Sequence, residues 1–365
     1  MESARTAPRV LVVGCGGIGG VLLSRLLEAG QAVTAVARRE ELAQVLRTRG
    51  PVLRDEKGER PVKGPLDVSA EPPREGAFDF VLLATPPNGV EAAARDTAHL
   101  LAPGGAMVVL QNGLCEELVA HVVGGERVVG AVVAWGASSP EAGVYEKTSS
   151  GGITLGTLAG TRDARLERLA EVLGAVCPVD FTEDLRGTRW SKLAINCAIS
   201  TLGTVGGSRV GPLLRRAFVR RLALEIFTEV AQVARAEGVK LRKVASTVEL
   251  DWLTLNEAER QGRGSLALLA RHAVLLAIGV RYRRLRSSML AALERGREPP
   301  VDFLNGEVVR RGRAHGLAVP VNAHLLEAVH AMARREQTPG VEALHRIYEA
   351  TRLQARRARP PVGPS

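Results

Sequence analysis

Two short stretches of this 365-residue chain hold residues whose types and spacing could do chemistry. In "WSKLAINCAIS" (190–200) a lysine interrupts an almost apolar, helix-forming segment. Lys192 is also one of only six lysines (Lys57, Lys63, Lys147, Lys192, Lys240, Lys243), although the chain carries 49 basic residues. On a helix, Lys192, Asn196 and Ser200 fall at i, i+4 and i+8 and make one polar stripe. Removing an uncompensated ammonium from water is costly and lowers its pKa, so such a lysine is usually either paired or functional. A stripe facing an interdomain cleft would give all three groups water or substrate. The alternative is a first-turn lysine that reaches back to solvent while Asn196 and Ser200 are satisfied internally.

The other stretch, Gly14-Cys15-Gly16-Gly17-Ile18-Gly19, fits G-x-G-x-x-G. It follows an all-apolar run, Val10 to Val13, and precedes Val21, Leu22, Leu26 and Leu27 at helical spacing. Such a strand–turn–helix cradles a pyrophosphate. Gly14 permits the sharp turn, Gly16 lets backbone approach the phosphates, and Gly19 lets the helix pack on the strand, while the helix N-terminus presents free N–H groups. The next strand, "AVTAVAR" (32–38), ends in Arg38 and Arg39, where an NAD-preferring site would carry a carboxylate. A guanidinium pairs with a 2′-phosphate, which favours NADP. Of the two, Arg39 reads more readily as the opening of a surface helix.

The elements that must position these groups fall into two parts. Apolar runs at 78–85, 106–113 and 127–137 alternate with helix-like segments such as 88–105, which predicts a doubly wound parallel sheet of the Rossmann type. "QNG" (111–113) ends one strand, and ligands in such sheets bind outside the carboxyl ends of strands. Asn112 is therefore either a ligand contact or part of an Asn-Gly turn. Beyond "FTEDLRGTRW" (181–190) the pattern becomes helical, over roughly 212–238, 263–285 and 302–315. The expected fold is α/β: a cofactor-binding domain over 1–183, an all-helical substrate domain over 184–350, and a basic, Pro-rich disordered tail over 351–365.

Composition limits the partners. The net charge of +10 comes from arginines spread along helical stretches and mixed with Glu, without a nucleic-acid module, so nucleic acid is not expected. The longest apolar run, near 272–282, is too short to span a bilayer and the N-terminus lacks a signal-peptide core, so no membrane is expected and the cytoplasm is the default compartment. Cys15, Cys115, Cys177 and Cys197 are scattered without zinc spacing, and no metal is expected. The sequence admits a homodimer without requiring one.

The G-x-G-x-x-G start, "QNG", the W-x-K-L-A-x-N-C helix, "RSSML" (286–290) and "VDFLNG…HGLAVPVN" (301–322) occur in order over roughly 9–335. Together they resemble the ketopantoate reductase (2-dehydropantoate 2-reductase) family. The resemblance implies NADPH-dependent reduction of a 2-oxo acid to a 2-hydroxy acid, ketopantoate to pantoate on the route to pantothenate and coenzyme A. It implies Lys192 as proton donor and Asn112 between nicotinamide and substrate. It also implies Asn196, Ser200 and Ser288 at substrate and Arg38 at the 2′-phosphate, with Gly14, Cys15, Gly16, Gly17, Ile18 and Gly19 at the cofactor.

Several positions depart from the family pattern. The stripe ends in Ser200 rather than Asn, Val210 replaces a further asparagine, and Pro87 replaces a lysine near the cofactor. The acidic pair after "SSML" is Ala292 and Pro300, with Glu298 two residues before the second. These departures admit a different carbonyl substrate, or a silent NADP-binding sensor or interaction protein. The stretch 240–285 is also long enough to add a helix.

Overall fold

The computed structural model describes residues 7–242, 249–283 and 285–357. It divides into two compact units, Met1–Arg186 and Gly187–Ser365.

Among its described residues the first unit contains twelve strands: β1 (Val10–Val13), β2 (Val33–Val36), β3 (Val52–Asp55), β4 (Gly58–Pro61), β5 (Leu66–Ser69), β6 (Phe78–Leu83), β7 (Leu101–Val109), β8 (Val128–Val133), β9 (Ala137–Glu141), β10 (Val144–Lys147), β11 (Ile153–Thr157) and β12 (Val179–Phe181). Eight make one sheet in the order β12-β11-β8-β7-β6-β1-β2-β5. From β5 to β8 every neighbouring pair is parallel. β11 then runs antiparallel to β8, and β12 runs parallel to β11. The sheet is thus parallel-dominated.

Burial on both faces explains the continuous apolar runs. Val10, Val12, Leu82 and Val108 join one core with Leu22 and Leu26 of the helix Gly17–Glu28 and Leu169 of the helix Ala164–Gly174. Helices Val90–Thr97 and Glu116–Val123 pack against β6, β7 and β8. Helices wound on a parallel sheet require crossover connections, and these are the alternating helical segments of the sequence.

Three local expectations are corrected. The run read as one strand over 127–137 divides into β8 and β9, with Trp135 buried between them. The helix-like segment 88–105 is α-helical from Val90 to Thr97, with 3-10 turns Pro87–Gly89 before it and Ala98–Leu100 after it. It is already extended at Leu101, because Pro103 cannot donate and Gly104 takes φ +74°. A second sheet, β4-β3-β10-β9, escapes the sequence reading, because strands such as "GERP" and "ASSPE" are short, polar and mostly exposed. It packs on the helix Gly17–Glu28: a Cβ on Gly20 would fall 2.0 Å from the Tyr145 ring.

Among the described residues of the second unit every regular element is a helix. Its main helices are Leu185–Val205 (which begins two residues before the division), Ala217–Ala236, Leu266–Arg281, Ser288–Glu294, Asn305–Ala314, Pro320–Ala333 and Val341–Arg357. The stretch 240–285 does contain a helix, Leu266–Arg281; Lys243 and its neighbours to 248 lie outside the described residues. The last helix runs to Arg357, so the segment from 351 begins as helix rather than as tail. Residues 358–365 lie outside the described residues.

Candidate active site

In the first unit the candidate residues gather at the carboxyl ends of β1, β2, β6 and β7. Gly14 takes φ +101°, and a Cβ there would lie 2.9 Å from the Ala84 carbonyl carbon after β6. A Cβ on Gly17 would lie 2.9 Å from the Ala137 carbonyl oxygen, and one on Gly19 only 1.9 Å from the Gly14 carbonyl oxygen. The chain's own packing therefore forces glycine at 14, 17 and 19. Gly16 differs: it is exposed at the N-cap of the helix Gly17–Glu28, and nothing lies within 4 Å of a Cβ placed on it. The open space before that helix's free N–H groups fits a dinucleotide pyrophosphate.

Gly16→Val should thus keep the wild-type melting temperature while raising the dissociation constant for NADPH at least about tenfold, read by fluorescence titration. Gly19→Ala should instead destabilise the chain by about 1–3 kcal/mol in urea unfolding. The remaining loop residues are less open. The buried Cys15 thiol donates to the Val36 carbonyl at 3.7 Å, and burial pushes it up to about 12, so it stays protonated. Ile18 is half-buried and packs against the core.

Arg38 is exposed just beyond β2, and its Nη1 lies 3.9 Å from the Cβ position of Gly89 in the loop after β6. The next carboxylate, Glu40, is engaged by Arg47. A cation rather than an anion therefore stands just beyond the end of β2. At β7, the buried Gln111 donates through Nε2 to the Thr85 carbonyl (3.0 Å) and hydroxyl (3.3 Å), which locks the ends of β6 and β7 together. The neighbouring Asn112 is exposed, while Gly113 beside it takes φ +98°. Turn geometry and a presented carboxamide coexist there, so the two readings of "QNG" are not exclusive.

In the second unit, the helix Leu185–Val205 buries Trp190, Leu193, Ala194, Cys197, Ala198, Leu202 and Val205, a face at helical spacing. Lys192, Asn196 and Ser200 are half-buried on another face of the same helix. The Asn196 Nδ2 is itself buried and has no hydrogen-bond partner among the described residues. An orphaned donor of this kind costs about 1–3 kcal/mol, and an acceptor supplied by a ligand would recover it.

Ser200 also works through its backbone: its carbonyl accepts from Thr204 Oγ1 at 2.7 Å and from Ser287 Oγ at 2.8 Å. Ser287 is buried and caps the helix Ser288–Glu294, whereas Ser288 is exposed at that helix's first position. Of the serine pair, the structure thus ties Ser287 to the lysine-bearing helix and leaves Ser288 open.

Sequence reasoning missed the residues that hold this helix from behind. Thr201 donates to Asn305 Oδ1 (2.5 Å), Asn305 Nδ2 to Asn322 Oδ1 (2.9 Å), and Asn322 Nδ2 to Glu229 Oε2 (2.7 Å). All four residues are fully buried. Glu229 also accepts from the backbone N–H groups of Val321 and Asn322, each at 2.9 Å. These are donors of the first turn of Pro320–Ala333, where Pro320 at N1 has no N–H to satisfy. A carboxylate from another helix therefore caps this one, and the signal available beforehand was Glu229, one turn after Glu225, in the mostly apolar helical stretch "EIFTEVAQVA".

Family models described as ketopantoate reductase PanE/ApbA and as its C-terminal part match residues 10–160 and 184–333. The chain belongs to the ketopantoate reductase family. It is 24% identical to the 2-dehydropantoate 2-reductase of Pyrococcus horikoshii over 324 residues, covering 88% of this chain and 97% of that protein. It matches the crystal structure of a PanE/ApbA-family ketopantoate reductase from Ralstonia eutropha JMP134 with TM-score 0.74 and 26% identity, over 90% of this chain and all of that one. It shares its fold with D-mandelate dehydrogenase, solved with NADH and anilino(oxo)acetate, at TM-score 0.75 and 21% identity over 90% of this chain and 98% of that one. Membership makes the chain part of an oxidoreductase family.

Against that ketopantoate reductase pattern, the departing positions are locally well formed. Ala292 is half-buried in Ser288–Glu294, and its carbonyl accepts from Arg297 N at 2.9 Å. Pro300 opens the 3-10 turn Pro300–Phe303, and Glu298 before it is exposed. No helix among the described residues is long and apolar enough to cross a membrane.

Proposed function

We propose that this protein is a cytoplasmic, NADPH-dependent reductase of 2-oxo acids, with ketopantoate the first substrate to test. The observation that carries the reading is the orphaned Asn196 amide beside Lys192 on a half-buried polar stripe, in a chain of this family. A buried donor without a partner, next to an ammonium, is suited to an oxygen-rich anionic ligand.

Gly14, Cys15, Gly16, Gly17, Ile18 and Gly19 would hold the pyrophosphate, Arg38 the 2′-phosphate, and Asn112 the nicotinamide end. The bound cofactor supplies a hydride to the carbonyl carbon. Lys192 holds a proton at the carbonyl oxygen, stabilises the charge that grows there, and donates the proton to give the hydroxyl. Asn196, Ser200 and Ser288 orient the substrate's oxygens. A different 2-oxo acid is a second reading, favoured by Ala292 and Pro300, which remove carboxylates that would otherwise narrow the choice.

Incubation with NADPH and a panel of 2-oxo acids, with product identification by mass spectrometry, tests the assignment. A 2-hydroxy acid should appear from ketopantoate or from another member of the panel. Tight NADPH binding with no product from any of them would leave a binding protein. Arg38→Ala should raise the NADPH dissociation constant about 10- to 100-fold while leaving NADH affinity unchanged, since a charge-assisted phosphate contact is lost. Equal weakening of both cofactors would remove the 2′-phosphate role.

A further inference from the structure

The polar stripe on the helix Leu185–Val205 is narrow, and its borders are apolar. Successive residues of a helix turn by about 100°, so Ile195 and Ile199, half-buried like the stripe, run along one side of Lys192 and Asn196. Gly203 continues the line of those two polar residues, and there the stripe ends. A Cβ on Gly203 would lie 3.2 Å from the Ser287 Cβ and 3.5 Å from Val210 Cγ2. The Ser287 hydroxyl is already engaged, donating to the Ser200 carbonyl at 2.8 Å and accepting from Leu290 N at 3.3 Å. The buried Val210 closes this end with an isopropyl group.

Val210 N donates to the Leu285 carbonyl at 3.1 Å, which brings the start of the helix Ser288–Glu294 to the same end of the stripe. Ser288 and Ala292 are four residues apart on that helix and share one face, so the side that presents the Ser288 hydroxyl presents the Ala292 methyl one turn further on. Two carboxylates of this segment are drawn elsewhere: Glu294 pairs with Arg286, and Asp302 with His330 at 3.1 Å.

A 2-oxo acid carries its three oxygens on carbons 1 and 2, and Lys192, Asn196, Ser200 and Ser288 hold donors for all of them. The side chains that border those four are Ile195, Ile199, Val210 and Ala292, and none can accept a hydrogen bond. We infer that the preferred substrate is a 2-oxo acid whose chain beyond carbon 2 is a compact, branched apolar group without a hydroxyl or a charge. The inference rests on the reductase reading and narrows its substrate class. A hydroxyl set against these side chains loses water without gaining a partner, whereas the same carbon skeleton without it gains from burial. Val210 and Ala292 are the specificity-determining residues, and both are positions at which this chain departs from the family pattern.

Ketopantoate and 3,3-dimethyl-2-oxobutanoate differ only in the hydroxyl on carbon 4, so they test the inference directly. With NADPH and the wild-type chain, kcat/KM should be about 10- to 100-fold higher for the compound without the hydroxyl. Ala292→Asp and Val210→Asn each supply an acceptor, and each should move that ratio about 3- to 10-fold toward ketopantoate while the NADPH dissociation constant stays unchanged. An equal or higher kcat/KM for ketopantoate, turnover confined to 2-oxo acids with hydroxylated or charged chains, or a ratio that neither variant moves would overturn the inference and leave the reductase reading in place. Tight NADPH binding with no product from any 2-oxo acid would instead strike the reductase reading, and this inference with it.

Discussion

Lys192→Ala should lower kcat by about 1,000- to 10,000-fold while leaving the NADPH dissociation constant within about twofold of wild type. The size follows from the two tasks assigned to one ammonium, stabilising the oxyanion and supplying its proton. Removing both costs about 4–5.5 kcal/mol of transition-state stabilisation. Cofactor affinity is spared because the glycine loop and Arg38 belong to the first unit, whereas Lys192 belongs to the second. Lys192→Arg should restore little, since a guanidinium keeps its proton and is a planar fork rather than a compact point charge. Stopped-flow measurement of NADPH oxidation at saturating substrate checks this. A variant with unchanged kcat would refute the role, and one that lost NADPH binding would point to a fold defect instead.

Glu229→Ala should destabilise the protein by about 3–5 kcal/mol, measured from the urea midpoint, because it strands two backbone N–H groups and the Asn322 amide at a fully buried position. Glu229→Gln should cost less, as one acceptor oxygen remains. The same residue gives stability a pH signature. Complete burial pushes the Glu229 carboxyl up to about 7, even against its donors from Asn322 and Val321. The folded chain then holds a proton that the unfolded chain releases at its ordinary carboxyl value. Stability from this group is full below about 4.5 and is lost as pH rises to about 7. The melting temperature of the wild type, relative to Glu229→Gln, should fall across that window and level off above it. At lower pH the paired Glu237, Glu259 and Glu307, all held below the usual carboxyl range by hydrogen bonds and nearby arginines, lose their contribution instead. A difference that rises between pH 4.5 and 7 would show that the donors, not burial, set the Glu229 titration.

The glycine loop was legible in the sequence because its pattern is compact, although only Gly19 is required within the strand–turn–helix itself, by the Gly14 carbonyl. Gly14 and Gly17 are required by distant backbone at Ala84 and Ala137, and Gly16 shows itself by the absence of any such requirement. The lysine stripe was legible for a similar reason: Lys192, Asn196 and Ser200 repeat with the helical period. Neither property extends to the support behind them. Thr201, Asn305, Asn322 and Glu229 come from four helices, and nothing in the spacing of "FTEVA", "FLNG" and "VPVN" says that they form one hydrogen-bonded chain. "RSSML" carried two serines, and only packing separates the buried Ser287 from the exposed Ser288. The four-stranded sheet stayed hidden because its strands lack the alternation of apolar and polar residues that announces a half-buried strand.

The chemistry itself is tested most directly by following the hydride. NADPH carrying deuterium at C4 of the dihydronicotinamide, one face at a time, is incubated with the enzyme and ketopantoate, or with whichever 2-oxo acid of the panel turns over. The account predicts that one of the two labelled cofactors delivers a single deuterium to carbon 2 of the 2-hydroxy acid and that the other delivers none. A product without label from either cofactor, or tight NADPH binding without any product, would contradict it.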